Sequence, residues 1–197
     1  MVRRFAIIGH RAQSSGKINL NDLAGSAGRM DVLVRAVNTA LFQSHGIRDN
    51  THITLHLLGG LGPSRRVWFE GPQLRGVHPD ERAIAGQVNK ALQEPVPAMG
   101  KFVELHSGLW HSGGGLEQTI TEWKREGVRI FTLDADGVPF DPEIHNAESI
   151  GFILSDDKPF SESELQSMQS IEKISLGTTW LQGHACISIL HHYLDSN

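Results

Sequence analysis

Apolar and polar positions along this chain follow two periods, and each change of period marks an element. Phe5-Ala6-Ile7-Ile8 is an unbroken apolar run and reads as a short buried strand. Residues 10–28, rich in Ser, Gly and Asn, read as a polar, flexible stretch. Leu33, Val34, Val37, Ala40 and Leu41 then recur at spacings of three and four, which predicts an amphipathic helix over 30–45 that stops at Gly46. Residues 51–58 return to a period of two. Ile53, Leu55 and Leu57 share one face and Thr54 and His56 the other, so the pattern predicts a strand with one polar side. Gly59-Gly60-Leu61-Gly62-Pro63 is a turn, and 66–70 is the returning strand of a hairpin. Pro79-Asp80-Glu81-Arg82 opens a second helix that runs to about residue 93 and is broken by Pro95-Val96-Pro97.

The second half alternates short strands with helices. Strands are expected at 102–105, 128–133, 150–154 and 171–176, and a helix at 116–126 closed by Gly127. Ser161-x-x-Glu164 is a capping box ahead of a short helix over 162–170. Cys186, Ile189, Leu190, Tyr193 and Leu194 form the apolar face of a terminal helix. This alternation implies an α/β fold, a sheet flanked by helices with parallel strands in at least its second half. The chain has 197 residues and reads as a single domain, 1–197.

Composition narrows the picture. No apolar stretch is long enough for a signal core or a membrane span, and one cysteine, Cys186, excludes an internal disulfide. A cytoplasmic protein with no membrane partner is the expectation. The net charge of −4 divides unevenly. Residues 1–101 carry 13 Lys and Arg against 7 Asp and Glu, and residues 102–197 carry 5 against 15. A basic half of +6 beside an acidic half of −10 fits either an anionic partner or chance segregation on a soluble surface.

Candidate chemistry is unevenly spread. Eleven histidines raise the question of a metal, but no HExxH occurs, and His52 and His56 sit apart on a strand. No metal site is expected. Cys186 reads as a small buried hydrophobe that could line a ligand pocket. Gly113-Gly114-Gly115 lacks the Lys-Ser/Thr of a phosphate loop and reads as a flexible connection. Gly25-Ser26-Ala27-Gly28-Arg29-Met30-Asp31 is more informative. It places a cation and a carboxylate at a helix start, with Arg35 and Asn38 further along, a pattern that suits phosphate and base contacts as well as a plain surface ion pair. The strongest signal is three loops at strand ends: Asp134-x-Asp136-Gly137, Ser155-Asp156-Asp157 and Ser175-Leu176-Gly177-Thr178-Thr179-Trp180-Leu181. Such loops form the usual ligand crevice of a parallel sheet, and a nucleotide-like cofactor suits it.

These strings resemble a known family. Lys173-Ile174-Ser175-Leu176-Gly177, Leu181-x-x-His184-x-Cys186-Ile187 and His192-x-Leu194-Asp195 look like the C-terminus of the SPOUT methyltransferases. Asp22-Leu23-x-Gly25-Ser26-Ala27-Gly28-Arg29-Met30-Asp31, Val37-Asn38, Ser44-His45-Gly46-Ile47-Arg48, Phe69-Glu70-Gly71 and Pro79-Asp80-Glu81-Arg82 resemble, more narrowly, the archaeal tRNA pseudouridine(54) N1-methyltransferase family. The resemblance spans essentially the whole chain. It implies a SPOUT-type fold with a C-terminal trefoil knot, a knotted cofactor-binding part over about 128–197, a homodimer and bound S-adenosyl-L-methionine (SAM). The implied substrate is pseudouridine in the T-loop of tRNA, methylated at N1, with no role for DNA. A ribosomal-RNA pseudouridine methyltransferase, a 2′-O-methyltransferase and a non-catalytic RNA-binding module are the alternatives. Two positions depart from the family pattern: Ser155 stands where a glycine is usual, and Asp134-Ala135-Asp136-Gly137 replaces a His-Glu-Asp-Gly-like turn.

By motif match, the cofactor contacts are Leu133, Ser155, Leu176, Gly177, Thr178, Thr179, Trp180, Leu181 and Cys186. Asp31, and after it Asp80, is the carboxylate expected to orient the target ring or accept its N1 proton. Arg29 and Arg82 are expected to stabilise developing charge, with Glu81 orienting Arg82. Arg29, Arg35, Asn38 and Arg48 are the expected RNA contacts.

Overall fold

The computed structural model describes residues 1–143 and 147–196. Its elements run β1 (Val2–Gln13), α1 (Met30–Leu41), β2 (Phe42–Gln43), β3 (Gly46–Ile47), β4 (Thr51–Gly59), β5 (Arg65–Glu70), α2 (Glu81–Gln93), β6 (Val103–His106), β7 (Leu109–Gly113), α3 (Leu116–Arg125), β8 (Arg129–Pro139), β9 (Ser149–Ser155), α4 (Glu162–Ser167), β10 (Glu172–Ser175) and α5 (Gly183–Asp195). Eight strands form one sheet in the order β10-β8-β9-β1-β4-β5-β7-β6. The first five are parallel and the last three antiparallel. β1 is central, pairing Phe5 with Ile53 of β4 on one side and with Phe152 of β9 on the other. No helix among the described residues is long and apolar enough to cross a membrane.

Alternation along β1 explains the layers. Phe5 and Ile7 face a core shared with α1, α2 and α5, while Ala6 and Ile8 face a smaller core built by Leu116, Ile120 and Trp123 of α3 together with Met168. Both faces are covered, so the polar side expected on β4 is buried: Thr54 is 6% exposed and His56 not at all. Arg66, opposite His56 on β5, is also fully buried and forms a double ion pair with Glu122 of α3 at 2.6 and 3.0 Å.

Several boundaries differ from the sequence pattern. β1 continues through His10 to Gln13, because β4 carries on beside it as far as Gly59. α1 ends at Leu41, not at 45, since residues 42–47 close a small hairpin in which Phe42 pairs with Ile47. Residues 103–113 form an antiparallel hairpin at the sheet edge, so Gly113 is a strand residue and Gly115 caps α3. α5 buries Gly183, Ile187, Leu190, His191 and Leu194, while Cys186 and Ile189 are half-buried and Tyr193 is 40% exposed. Of the expected face only Leu190 and Leu194 are buried, and the buried face also takes in Ile187 and the polar His191. His191 Nε2–H donates to Ala40 O (3.1 Å), leaving Nδ1 to accept from Arg3 (2.9 Å), so the ring is satisfied inside the core.

The loop that returns from β1 to α1 ends in two left-handed residues. Gly28 has φ 68°, and a Cβ there would lie 1.8 Å from Arg11 O, so this position admits only glycine. Arg29 follows at φ 65°, the one non-glycine residue with positive φ among the described residues.

Two predictions follow from this packing. Gly28→Ala should lower stability by at least about 2 kcal/mol in thermal or urea unfolding; a variant as stable as the parent would show that this turn is built differently. The second concerns acid. Burial, reinforced by neighbouring cations, depresses the pKa of His52 to about 4, of His56 to about 3 and of His191 to about 4. The second contribution comes from Arg4 at His52, Arg66 at His56, and Arg48 with Arg3 at His191. Above the ordinary value of 6.5 neither state binds these protons and their contribution is complete. As pH falls below 6.5 the unfolded chain takes up protons that the folded chain refuses, and stability is lost until the folded values are reached. Between pH 6 and pH 4 each should remove about 1.4 kcal/mol per pH unit. Urea midpoints measured across this range should fall, and His56→Leu should shed its share of the slope; a midpoint flat from pH 6 to pH 4 would contradict the assignment.

Candidate active site

The carboxyl ends of β8, β9 and β10 lie side by side, because these strands are neighbours and parallel. β8 pairs with β10 through Phe131 and Thr132, and resumes at Val138 and Pro139. Leu133, Asp134, Ala135, Asp136 and Gly137 bulge out between these two stretches, so the turn expected after residue 133 is an excursion within one strand. Lys173 Nζ holds Asp134 at 2.7 Å, and that hydrogen bond keeps the Asp134 carboxyl below the usual range. Ser175 Oγ donates to Ala135 O (3.1 Å) and accepts from Gly177 N (3.1 Å), tying the excursion to the start of the next loop.

That next loop is open. Leu176 packs on the core, whereas Gly177, Thr178, Thr179, Trp180 and Leu181 are exposed, Trp180 by 87%. Among the described residues the backbone groups of Thr178, Thr179 and Trp180 make no hydrogen bond within the chain. They are free to meet the polar edges of a ligand, which is the fit a nucleoside cofactor needs. The start of α5 closes the crevice from behind: a Cβ at Gly183 would lie 3.2 Å from Ile7 Cδ1 and 3.7 Å from Ser155 O. Ser155 Oγ donates to Lys158 O within its own turn, so the hydroxyl is turned into that turn and satisfied there. Cys186 Sγ is 4.0 Å from Leu181 O, and burial raises its thiol pKa, so it is a neutral thiol behind the end of that loop.

The α1 N-terminus supplies the charged half of the site. Arg29 grips Asp31 with two bonds, Nε–Oδ1 at 3.0 Å and Nη2–Oδ2 at 3.3 Å, and Arg35 adds a third at 3.2 Å. Asp31 is 5% exposed. Burial pushes its carboxyl up, but Arg29 and then Arg35 outweigh burial and hold it below the usual range, so it stays ionised. Arg29 also reaches Asp157 Oδ2 at 3.2 Å, and Arg11 pairs with the same oxygen. Asp31 is thereby linked directly to the turn that follows β9.

Other expected residues fall around this centre. Arg35 bridges from Asp31 to Glu81 at 2.8 Å, and Asn38 Nδ2 donates to Pro79 O at 2.7 Å, which lays the start of α2 beside α1. Glu81 therefore orients Arg35 and not Arg82, whose Nη1 donates to Asn21 Oδ1 at 2.5 Å. Asp80 is the N-cap of α2, accepting from Ala83 N at 2.8 Å. Its carboxylate is occupied by the helix end and lies outside the Asp31 cluster. Arg48 is not brought together with the Arg29–Asp31 cluster. It follows the C-terminal end of α1, about 18 Å along the helix from Arg29, and forms a double ion pair with Asp195 at 3.1 and 2.7 Å.

The charge asymmetry has an internal cause that sequence reading missed. Arg3, Arg4, His10, Arg11, Arg29, Arg48 and Arg66 all pair with carboxylates from beyond residue 101. Much of the basic half therefore neutralises the acidic half and is not a free surface for an anion. His10 and Arg11 are the site neighbours that pattern did not single out; their only signal was polar residues directly after an apolar strand, whereas Asp156 and Asp157 were visible in a strand-end loop and Glu164 in a capping box, without their partners. A cleft of about 390 Å³ around Gly46, Asp49, Pro72 and Arg75 is lined by none of these residues.

Comparison with known proteins agrees with this geometry. Residues 2–197 match the family of SAM-dependent RNA methyltransferases. A Haloarcula marismortui protein named tRNA (pseudouridine(54)-N(1))-methyltransferase is 38% identical over 99% of this chain and 97% of its own length. Proteins of the same name from Methanosarcina acetivorans and Methanococcus maripaludis are 39% and 37% identical, each over 98% of this chain and over 91% and 98% of their own lengths. Among solved structures, Archaeoglobus fulgidus Nep1 bound to S-adenosylhomocysteine superposes with a TM-score of 0.70 over the whole of both chains at 13% identity, and so shares the SPOUT-type α/β fold. With the strand-end crevice and the Arg29–Asp31 cluster in place, the full-length match is decisive: this chain belongs to the SAM-dependent RNA methyltransferase family.

Proposed function

We propose that this chain methylates N1 of pseudouridine 54 in the T-loop of tRNA, using SAM, as a cytoplasmic homodimer whose C-terminal part is knotted. The observation that carries the reading is Asp31, an almost buried carboxylate held by two arginines beside the strand-end crevice. The name shared by relatives along the full chain supports the same substrate. The return of the chain from β10 at the sheet edge to α5, which packs on central β1, agrees with a knotted path. The exposed Trp180 and Leu181 beside the crevice offer an apolar surface for a second copy.

SAM would supply a methyl group already activated by its sulfonium, held by the backbone of residues 176–181 with Leu133, Ser155 and Cys186 behind it. The protein must then align the acceptor nitrogen. Pseudouridine, unlike uridine, carries an N–H at N1, and Asp31 would accept a hydrogen bond from it. Because Arg29 and Arg35 hold this carboxyl below its ordinary pKa, its task is to orient the ring and favour electron density at N1; a lowered pKa makes it a weaker base for the departing proton. Arg29 and Arg35 would meet a phosphate or a developing oxyanion of the ring, with Asn38 and Arg82 extending that edge. Asp80 shapes the edge by capping α2 and takes no part in proton transfer.

Asp31→Asn should lower the turnover of pseudouridine-containing tRNA by at least about tenfold. Calorimetric affinity for SAM should stay within about threefold. Nucleoside mass spectrometry should find N1-methylpseudouridine only when the tRNA has first been pseudouridylated. Unchanged turnover in the variant would remove Asp31 from the mechanism. A methyl group appearing only on ribosomal RNA or on a ribose would replace the substrate, and a chain that binds no SAM would be an RNA-binding module.

A further inference from the structure

His10 has no role in the scheme above, yet its ring is bonded at both nitrogens. Nδ1 lies 2.8 Å from Asp156 Oδ1 and Nε2 lies 3.1 Å from Glu164 Oε2. An ionised carboxylate only accepts, so both bonds form together only if both ring nitrogens carry hydrogen, which makes the ring an imidazolium. The His10 backbone N–H donates to the other Asp156 oxygen at 2.8 Å. The Asp156 side chain has no exposed surface, and those of Glu164 and His10 are 11% and 14% exposed. Asp156 also accepts from Lys158 N at 3.0 Å, and Glu164 accepts from Ser161 N at 2.7 Å. One ring therefore joins β1, the turn 155–158 and the first turn of α4. Burial alone would lower its pKa; the bonds to Asp156 and Glu164, and then their charges, outweigh burial and raise it above 6.5.

The residue next to each partner leads to the site. Arg11, after His10, and Arg29 both pair with Asp157, after Asp156, and Arg29 grips Asp31. We propose that His10 is a positioning residue for methyl transfer: as an imidazolium it fixes the turn 155–158, so that Asp157 holds Arg29 and Arg29 holds Asp31. It touches neither substrate nor cofactor. The positioning role rests on the function proposed above, whereas the imidazolium clamp does not. The charged groups around the ring are Asp156 and Glu164, with Arg11, Asp157 and Arg29 one step away. Loss of the proton leaves one N–H for two carboxylates, so the clamp is complete at low pH and opens as pH rises through the raised pKa of His10.

The test combines a readout of the ring with a readout of the reaction. Long-range ¹H–¹⁵N NMR of the full-length protein should show both His10 nitrogens protonated at pH 6.5, with a midpoint above 6.5 that falls in Glu164→Gln. A single neutral tautomer at pH 6.5 overturns the clamp. His10→Gln should lower kcat about tenfold, leave KM for tRNA within about twofold, and abolish the decline of kcat at alkaline pH that the clamp imposes. Glu164→Gln, which keeps the fold if His10→Gln does not, should move that decline to lower pH. An unchanged kcat and pH profile in the variant that folds overturns the positioning role. If the parent protein methylates no pseudouridine-containing RNA while His10 titrates as described, the functional reading has failed and the clamp has not. The Arg29 Nε–H resonance then decides the linkage: it should shift in step with His10, and a stationary signal overturns it.

Discussion

β1 lies between two parallel partners, β4 from the first half of the chain and β9 from the second, and the rest of the structure depends on that seam. Its side chains alternate into both cores, the one shared with α1, α2 and α5 on one face and the one shared with α3 on the other. Its ends are ionic. At the amino end Arg3 meets Asp195 and the ring of His191; at the carboxyl end His10 and Arg11 meet Asp156, Glu164 and Asp157. Shifting β1 by one residue would exchange the two faces and move each of these charges away from its partner. The register is thus fixed by apolar burial in the middle and by charge at both ends.

The same seam explains what pattern could reveal. Helices α1, α2 and α3 and the strands β4, β5, β8 and β9 carry their own periodicity, and their kinds and approximate limits were legible. The 42–47 hairpin and β7 were not, because their strands are short and at the edge, with little periodicity to read. The buried face of α5 was misread because His191 is polar in type but apolar in placement, its two nitrogens paired inside the molecule. Arg29, Asp31 and the three strand-end loops were visible as local motifs. The partners that join them were not: His10 lies 146 residues from Asp156, and Arg29 lies 128 residues from Asp157. Periodicity describes an element's own faces and contains no information about which carboxylate a distant arginine will meet.

Charge composition carried a related ambiguity. A +6 half and a −10 half look like a basic surface awaiting an anion beside an acidic remainder. Folding places these halves against each other, and most of the named cations of β1 and its neighbours meet acids of the second half. What remains for an anion is narrower than the composition implied, and where α1 begins Arg29 and Arg35 are themselves paired with Asp31, Asp157 and Glu81. There the backbone itself is strained, with Arg29 in the left-handed region after Gly28. Such a conformation costs on the order of 1–3 kcal/mol and persists where surrounding contacts determine it. Here those contacts are the three carboxylate bonds of Arg29, which spend the strain on aiming one guanidinium at Asp31 and Asp157 together.

Under the proposed function, this arrangement favours orientation over proton abstraction as the contribution of Asp31. A general base works best when its pKa lies near the working pH, and a carboxylate between two arginines moves the other way. An acidic carboxylate is a poor proton acceptor but a stable anion, and a fixed anion beside N1–H selects a base that has that hydrogen. Uridine attaches its sugar at N1 and has no hydrogen there, so it would face Asp31 with carbon and leave a carboxylate that is 5% exposed without that hydrogen bond, its charge still paired with Arg29 and Arg35. The penalty for a buried acceptor left without its donor is larger than the reward for a met one. Discrimination between pseudouridine and uridine can therefore reside in Asp31 without Asp31 ever holding the proton, and the chain Asp157–Arg29–Asp31 is what keeps that charge fixed in place.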